Sequence, residues 1–93
     1  MKIHYSPEAI EDLIRLREFI AIKNPKAASR IAKSLKKGIS QLKAFPQLGN
    51  EVEMAPDPKI IRDLFIGKYV ARYLLHIKDI YLLRVWHQKE NRF

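Results

Sequence analysis

Apolar side chains recur at helical spacing through the first half of the chain, in two stripes. The first stripe holds Ile10, Leu13, Ile14 and Ile20, and the second holds Ala28, Ile31, Ala32, Leu35, Ile39 and Leu42. Ser6-Pro7 and Asn24-Pro25 precede the stripes, and a capping side chain followed by proline is typical of a helix start. The connection between the two helices is short, so the pattern predicts an antiparallel helical hairpin that ends before Pro46.

Strand patterns dominate the second half of the chain. Residues 60–66, 69–77 and 80–88 are rich in β-branched, aromatic and other apolar side chains, and residues 2–5 form a short candidate strand. Gly67-Lys68 and Lys78-Asp79 separate the long segments and suit two-residue hairpin turns. Residues 45–59 contain three prolines and a glycine and are predicted to form a loop. The pattern therefore predicts an α+β fold, with the helical hairpin packed on a small twisted antiparallel sheet.

Two-residue turns fix which side chains share a face of the predicted sheet. In that register Arg62, Tyr73 and Arg84 form one row across three adjacent strands, while Asp63 lies opposite Arg72 on the other face. Two arginines on one face repel each other unless an anion or a carboxylate joins them. The row is therefore a candidate site for an anionic group, with the alternative that both arginines extend into solvent along Tyr73.

The same register divides the apolar side chains between the two faces of the sheet. The face predicted to pack against the helices holds Ile61, Phe65, Val70, Leu74, Leu83 and Val85. The face of the arginine row also holds Ile60, Leu64, Leu75, Ile77, Ile80, Leu82 and Trp86. Two helices do not easily cover both faces, so the arginine face is predicted to be bare and to bind a partner protein that lies on the sheet or extends it at its edge. Homodimerisation through that face is the alternative.

Charge adds a second candidate surface. The 93-residue chain has a formal net charge of +8, and no acidic residue lies between Phe19 and Asn50. The outer face of the second predicted helix is therefore basic, with Lys33, Lys36 and Lys37 among its residues. Such a surface favours a polyanion or an acidic protein as partner, and a solvated lysine-rich face is the alternative.

Several classes of protein are disfavoured. The chain has no cysteine, and His4 and His76 lack the spacing of metal ligands, so neither a metal site nor a cofactor is expected. The sequence has no apolar segment typical of a signal peptide or a membrane span, which predicts a soluble cytoplasmic protein without a membrane partner. It also has no phosphate-binding glycine loop and no nucleophile elbow. A chain of this length is expected to form one domain over residues 1–93.

His87 is the candidate proton-transfer residue. It lies at the end of the last predicted strand, where a neutral imidazole can exchange a proton, although a lone histidine is more often structural. Together with Arg62 and Arg84 it suits cleavage of RNA without a metal, in which cations stabilise the phosphorane and a base activates the 2′-hydroxyl. These three residues are the catalytic candidates if the protein is an enzyme.

Five local strings, in this order along the chain, carry a family resemblance. They are "YSPEAIEDL", "NPKAA", "FPQLGN", "IRDLFIGKY" and "LLRVWH". Together they resemble the ParE/RelE superfamily of type II toxin–antitoxin toxins over nearly the whole chain. The resemblance implies a helical hairpin against a twisted antiparallel sheet, a growth-inhibiting bacterial toxin, and an antitoxin that wraps and neutralises it.

The superfamily divides by target. RelE-like members cut mRNA on the ribosome with arginines on the sheet and a C-terminal His or Tyr, whereas ParE-like members poison DNA gyrase. By position, Arg62 and Arg84 match the sheet arginines, and His87 matches the histidine of the final strand motif, which ParE-like sequences also have. The tail "QKENRF" differs from the Gly-Arg-Arg type of tail in many relatives. The long helical hairpin is more similar to the ParE branch.

The leading interpretation is therefore a ParE-like toxin that inhibits DNA gyrase by protein contact rather than catalysis and is neutralised by a cognate acidic antitoxin. The alternatives are a RelE-like, ribosome-dependent mRNA endonuclease that needs no metal, and an inactive module that serves only as a partner or repressor subunit. The expected antitoxin- or anion-binding face comprises Arg62, Leu64, Tyr73, Leu75, Leu82, Arg84 and Trp86. The expected target contacts are Lys33, Lys36, Lys37, Trp86, Arg92 and Phe93.

Overall fold

Residues 1–90 are described by a computed structural model of the protein, in which two helices pack on one sheet. The elements are β1 (Lys2–Tyr5), α1 (Pro7–Lys23), α2 (Pro25–Ser40), a 3-10 turn (Gln41–Lys43), β2 (Asn50–Glu51), β3 (Ile61–Ile66), β4 (Tyr69–His76) and β5 (Asp79–His87). The strand order is β1-β5-β4-β3-β2. The predicted α+β class is confirmed, with one difference: β1 is parallel to β5, so the sheet is mixed rather than purely antiparallel.

The helical hairpin forms because the sequence caps both helices. Ser6 Oγ accepts a hydrogen bond from the backbone N–H of Ala9 at 3.0 Å, at the start of α1. Asn24 serves both helices: its N–H donates to Ile20 O at 2.9 Å at the end of α1, and its side chain accepts from Ala27 N at 3.0 Å at the start of α2. A single residue thus joins the helices, and they pack side by side.

The hairpin of β3 and β4 has the register predicted from the sequence. Gly67 adopts a positive φ of 59° in the two-residue turn, a conformation that glycine takes without steric strain. Ile66 therefore lies opposite Tyr69, and Arg62 lies opposite Tyr73. The predicted pairing of Arg62 with Tyr73 is confirmed.

The register predicted for β4 and β5 is wrong. The turn is formed by Ile77 and Lys78, so that His76 pairs with Asp79. A bulge then leaves Leu83 as an extra residue, because Tyr73 pairs with Leu82 whereas Arg72 pairs with Arg84. Arg84 therefore belongs to the row of Asp63 and Arg72, and the predicted row of Arg62, Tyr73 and Arg84 does not form.

The assignment of the two sheet faces was also wrong. The helices cover the face of Tyr73, and the buried cluster comprises Ala9, Leu16, Ile39, Leu42, Leu64, Ala71, Tyr73, Ile80, Leu82 and Val85. Phe65, predicted to be in the core, is 53% exposed on the outer face, and Leu74 is half-buried. Small Ala71 permits close approach of the helices, and the buried Tyr73 hydroxyl has hydrogen-bond partners, which favours burial of this face.

Candidate functional site

Asp12 of α1 is buried, and its carboxylate pairs with Arg84. Its Oδ2 accepts hydrogen bonds from Arg84 Nε at 2.8 Å and from the backbone N–H of Val85 at 2.9 Å, and its Oδ1 accepts from Arg84 Nη2 at 3.1 Å. Arg84 therefore does not present a lone cation on a strand. Ser6 bonds the neighbouring carbonyls of Leu82 and Leu83. Beyond the point where β1 ends, the start of α1 thus supplies hydrogen-bond partners to the backbone carbonyls at the edge of β5.

The electrostatics of Asp12 favour its charged form. Burial on its own raises the pKa of the carboxyl group, but the hydrogen bonds from Arg84 and Val85 and the charges of Arg84 and Arg15 outweigh burial. The pKa of Asp12 therefore lies below its ordinary value. The carboxylate is ionised at neutral pH and holds the arginine in a fixed bidentate geometry.

A second ion pair extends this contact to the C-terminal turn. Arg15 lies one helical turn after Asp12, at 3.5 Å between Nη2 and Oδ1, and its Nη1 donates to Glu90 Oε2 at 2.7 Å. Glu90 also accepts a hydrogen bond from the backbone N–H of His87 at 2.9 Å. Glu90 therefore joins the end of β5 to α1, just before the segment that contains the predicted target contacts Arg92 and Phe93. Those two residues lie outside the described part of the chain.

Arg72 and Asp63 form a bidentate pair on the outer face of the sheet. The two donor–acceptor distances are 2.8 Å and 3.0 Å, and the pairing of these strand positions agrees with the sequence prediction. The guanidinium also lies 5.1 Å from the centre of the Trp86 ring, a cation–π contact. Trp86 is only 7% exposed. It is therefore part of the folded structure rather than the surface anchor that the sequence predicted.

Arg62 and Tyr73 hold the loop between the helices and β3. The Tyr73 hydroxyl donates to Pro46 O at 2.8 Å and accepts from the N–H of Gly49 at 2.9 Å, while Arg62 Nη1 donates to Gly49 O at 2.8 Å. Burial raises the pKa of the Tyr73 phenol, so the hydroxyl remains a donor at neutral pH. A Cβ at Gly49 would lie 2.8 Å from that hydroxyl. This pair is therefore a structural clamp on the loop.

His87 lies away from both predicted catalytic arginines. It pairs with Tyr69 on the helix-facing side, with an edge-to-face ring contact of 5.0 Å, and its Nδ1 accepts from the backbone N–H of Lys89 at 3.0 Å. Arg62 pairs with Tyr73, which lies four residues beyond Tyr69 on β4, a separation of about 13 Å along the strand direction. The Arg84 side chain projects from the opposite face of the sheet. The three candidate nuclease residues are therefore not brought together.

The helical hairpin has an open apolar groove of about 390 Å³ beside β1. We call it the hairpin groove; its lining residues are Tyr5, Leu13, Ile14, Leu16, Arg17, Ile20, Ala28, Ile31, Ala32, Leu35, Lys36 and Ile39. Ile14 is 52% exposed although it lies in the apolar stripe of α1. The cations of Arg17 and Lys36 lie among otherwise largely apolar lining residues. Within residues 1–90 this is an apolar surface that the fold leaves open.

The described residues hold no cluster suited to a metal ion. Among residues 1–90, no three histidine, aspartate or glutamate side chains converge on a common point. His4 instead bonds Asp79, at 2.8 Å between Nε2 and Oδ1, and thereby ties β1 to β5. In the same part of the chain, no helix is both long and apolar enough to cross a membrane.

Comparison with known proteins identifies the family. Residues 3–92 match the family of ParE toxins of type II toxin–antitoxin systems, parDE. Because this match spans nearly the whole sequence, the chain belongs to the ParE toxin family, and the resemblance carried by the five strings is confirmed. A search of curated protein sequences gives no significant match.

Solved structures support the fold. A chain of the chromosomal ParDE toxin–antitoxin system from P. aeruginosa superposes with a TM-score of 0.79 at 18% identity, over 94% of this chain and 95% of that chain. A chain of the RelBE2 toxin–antitoxin complex from Mycobacterium tuberculosis gives a TM-score of 0.64 at 17% identity, over 92% and 95%. At such identities the likeness establishes the shared architecture.

Sequence reasoning missed the role of Asp12. The sequence-based predictions assign it no role. The available signal was spacing: Ala9, Asp12 and Leu16 recur at intervals of three and four, which places a carboxylate within a buried stripe. A buried carboxylate requires a cationic partner, and Arg84 was the unexplained cation of a strand.

Proposed function

We propose that this toxin inhibits DNA gyrase by protein–protein contact and is neutralised by a cognate acidic antitoxin. The observation that carries the proposal is the internal engagement of the sheet arginines. Arg84 pairs with Asp12, Arg72 pairs with Asp63, and Arg62 bonds loop carbonyls. None of these side chains is directed at a shared point where a phosphate would bind.

This arrangement disfavours the nuclease alternative on chemical grounds. Cleavage of RNA without a metal needs cations and a proton acceptor within reach of one phosphodiester. Here His87 and Arg84 project from opposite faces of the sheet. Moving Arg84 to such a site would break its bidentate pair with Asp12 and leave this buried carboxylate with only the more distant charge of Arg15.

The target surface is proposed to combine exposed apolar anchors with flanking cations. Phe19 and Ile22, at the tip of the helical hairpin, are 66% and 83% exposed. Binding energy in protein interfaces concentrates in a few such anchors. The predicted target contacts Lys33, Lys36 and Lys37 are all exposed and remain available, and the C-terminal segment after His87 stays part of this proposal. Buried Trp86 no longer belongs to it.

The antitoxin is proposed to occupy the hairpin groove. The helices cover the part of the predicted antitoxin-binding face that holds Leu64, Tyr73 and Leu82, and these three side chains are buried. The hairpin groove is apolar and open, and its length along two helices suits an amphipathic helix. Arg17 and Lys36 in its lining and the net charge of +8 favour acidic flanking residues on that helix.

The proposal is tested with the purified full chain in two assays. One measures ATP-dependent supercoiling of relaxed plasmid by gyrase, and the other measures cleavage of mRNA on translating ribosomes. We expect inhibition of supercoiling, relieved by equimolar antitoxin, and intact transcripts. Cleaved transcripts with unimpaired supercoiling would reverse the assignment to the endonuclease.

A further inference from the structure

Four cations lie on one line along the outer side of α2. Lys26, Arg30, Lys33 and Lys37 follow the spacing i, i+4, i+7, i+11, which places them within about 60° of one another around the helix and over about 16 Å along it. All four side chains are exposed. We call this set the basic stripe.

The basic stripe is not neutralised by the rest of the structure. Within residues 1–90, none of its members forms an ion pair with a carboxylate. Its cations stand three or four residues apart, a spacing at which like charges destabilise a helix. The first turn of α2 has no acidic residue, and Lys26 there opposes the helix dipole. The isolated fold therefore keeps an unfavourable charge arrangement that a bound polyanion would relieve.

The residues beside the basic stripe can donate hydrogen bonds. Ser29 and Ser34 are exposed and lie on either side of the stripe, and their hydroxyl groups can donate to phosphate oxygens. The exposed side of α2 carries no carboxylate and no large apolar side chain along this line. Aromatic residues are absent from the whole of α2.

The basic stripe is independent of the hairpin groove. The buried residues Ala28, Leu35 and Ile39 face the opposite side of α2, about 180° away around the helix. A segment bound in the hairpin groove would thus leave the stripe exposed. The two surfaces can be occupied at the same time.

We propose that the basic stripe binds the sugar–phosphate backbone of duplex DNA without reading its sequence. A protein partner would require apolar or aromatic anchors, which the stripe lacks. A single strand would require aromatic side chains for base stacking, which α2 lacks. A line of evenly spaced cations with hydroxyl neighbours needs only a regular array of phosphates. This function goes beyond gyrase inhibition, and its test measures DNA binding alone, although Lys33 and Lys37 are also among the proposed target contacts.

The test is fluorescence anisotropy of a labelled 30-base-pair duplex titrated with the full chain at several KCl concentrations. Four phosphate contacts predict a slope of log affinity against log salt of about −3.6, or a loss of about 150-fold between 50 and 200 mM KCl. The variant Lys26→Gln/Arg30→Gln/Lys33→Gln/Lys37→Gln is expected to lose most of this slope. The control variant Lys59→Gln/Lys68→Gln/Lys78→Gln/Lys89→Gln removes the same charge from other exposed sites and is expected to retain it.

Three outcomes would overturn the proposal, with circular dichroism confirming that both variants fold. An equal loss of duplex affinity in the stripe variant and the control variant would mean that binding depends only on net charge. Equal or tighter binding of a single-stranded 30-mer would exclude the duplex as the preferred ligand. Binding of a polyglutamate peptide of matched charge as tightly as the duplex, lost in the stripe variant, would assign the surface to an acidic protein.

Discussion

Asp12 and Arg84 are separated by 72 positions in the chain and form a bidentate ion pair that joins α1 to β5. The same carboxylate accepts the backbone N–H of Val85 and so replaces a hydrogen bond that a further strand would supply. An arginine in the middle of an apolar strand is thereby explained as a structural partner. The toxin consequently does not carry a free cation at this place on its sheet.

Substitution of Asp12 should be strongly destabilising. Asp12→Ala removes a buried acceptor of three hydrogen bonds and is expected to lower the free energy of unfolding by about 2–4 kcal/mol. Urea denaturation followed by circular dichroism measures this change. The neighbouring exposed Glu11→Ala is the matched control and should change stability by less than about 0.5 kcal/mol. A loss for Asp12→Ala no larger than that of the control would contradict the proposed role.

The stability of the protein should depend on pH through the same residue. The pKa of Asp12 is lowered in the folded state, so the unfolded chain takes up a proton first as the pH falls. The stabilisation is complete above the unfolded pKa of about 4 and is lost as pH falls through the lower folded pKa. Urea midpoints between pH 2.5 and pH 7 should converge for wild type and Asp12→Asn at the acid end. A difference that stays constant over this range would show that the charge of Asp12 is unimportant.

Tyr73→Phe tests the clamp on the loop. The substitution keeps the buried ring but leaves the N–H of Gly49 and the carbonyl of Pro46 without their partner, so a loss of about 1–2 kcal/mol is expected. Hydrogen exchange of the Gly49 amide should become faster by more than the loss of global stability alone would cause. Tyr81→Phe, at an exposed outer-face position, is the control. Unchanged exchange at Gly49 would mean that the hydroxyl does not hold the loop.

Ile14→Asp tests the proposed antitoxin site. The side chain lies in the hairpin groove and is half exposed, so the variant should fold but bind the antitoxin about tenfold or more weakly, because a carboxylate would replace an apolar contact. Isothermal titration calorimetry with the antitoxin measures the affinity. Ile77→Asp, placed in the exposed β4–β5 turn, supplies the matched charge change away from the groove. Equal affinities for the two variants would place the antitoxin elsewhere.

The sequence was informative where local residues determine local structure. Ser6 and Asn24 define the helix starts, and Gly67 fixes the turn and register of β3 and β4. The second hairpin has no glycine in its turn, and Asp79 pairs with His4 across the sheet instead of occupying the turn. The bulge at Leu83 has no local signal either. Both features depend on contacts between distant segments, which local patterns do not contain.

The sheet faces were misassigned for a related reason. Counting apolar side chains gives both faces similar weight, because Arg62 and Tyr73 count as polar. In the folded chain their polar ends reach Pro46 and Gly49, so that the Tyr73 ring is buried without an unsatisfied hydroxyl. The hydrogen-bond partners that allow this face to be buried are backbone groups of the loop. The position of that loop depends on the tertiary fold and cannot be inferred from local patterns.

His87→Ala provides the most direct test of the claim that toxicity rests on protein contact and not on catalysis. The measurement is the concentration of toxin that halves gyrase supercoiling, for wild type and variant, with antitoxin binding as the control for folding. Because the His87 ring contacts Tyr69 and the backbone of Lys89 and lies far from Arg62, we predict values within about threefold of each other. A folded, antitoxin-binding His87→Ala variant that no longer inhibits supercoiling would contradict the account.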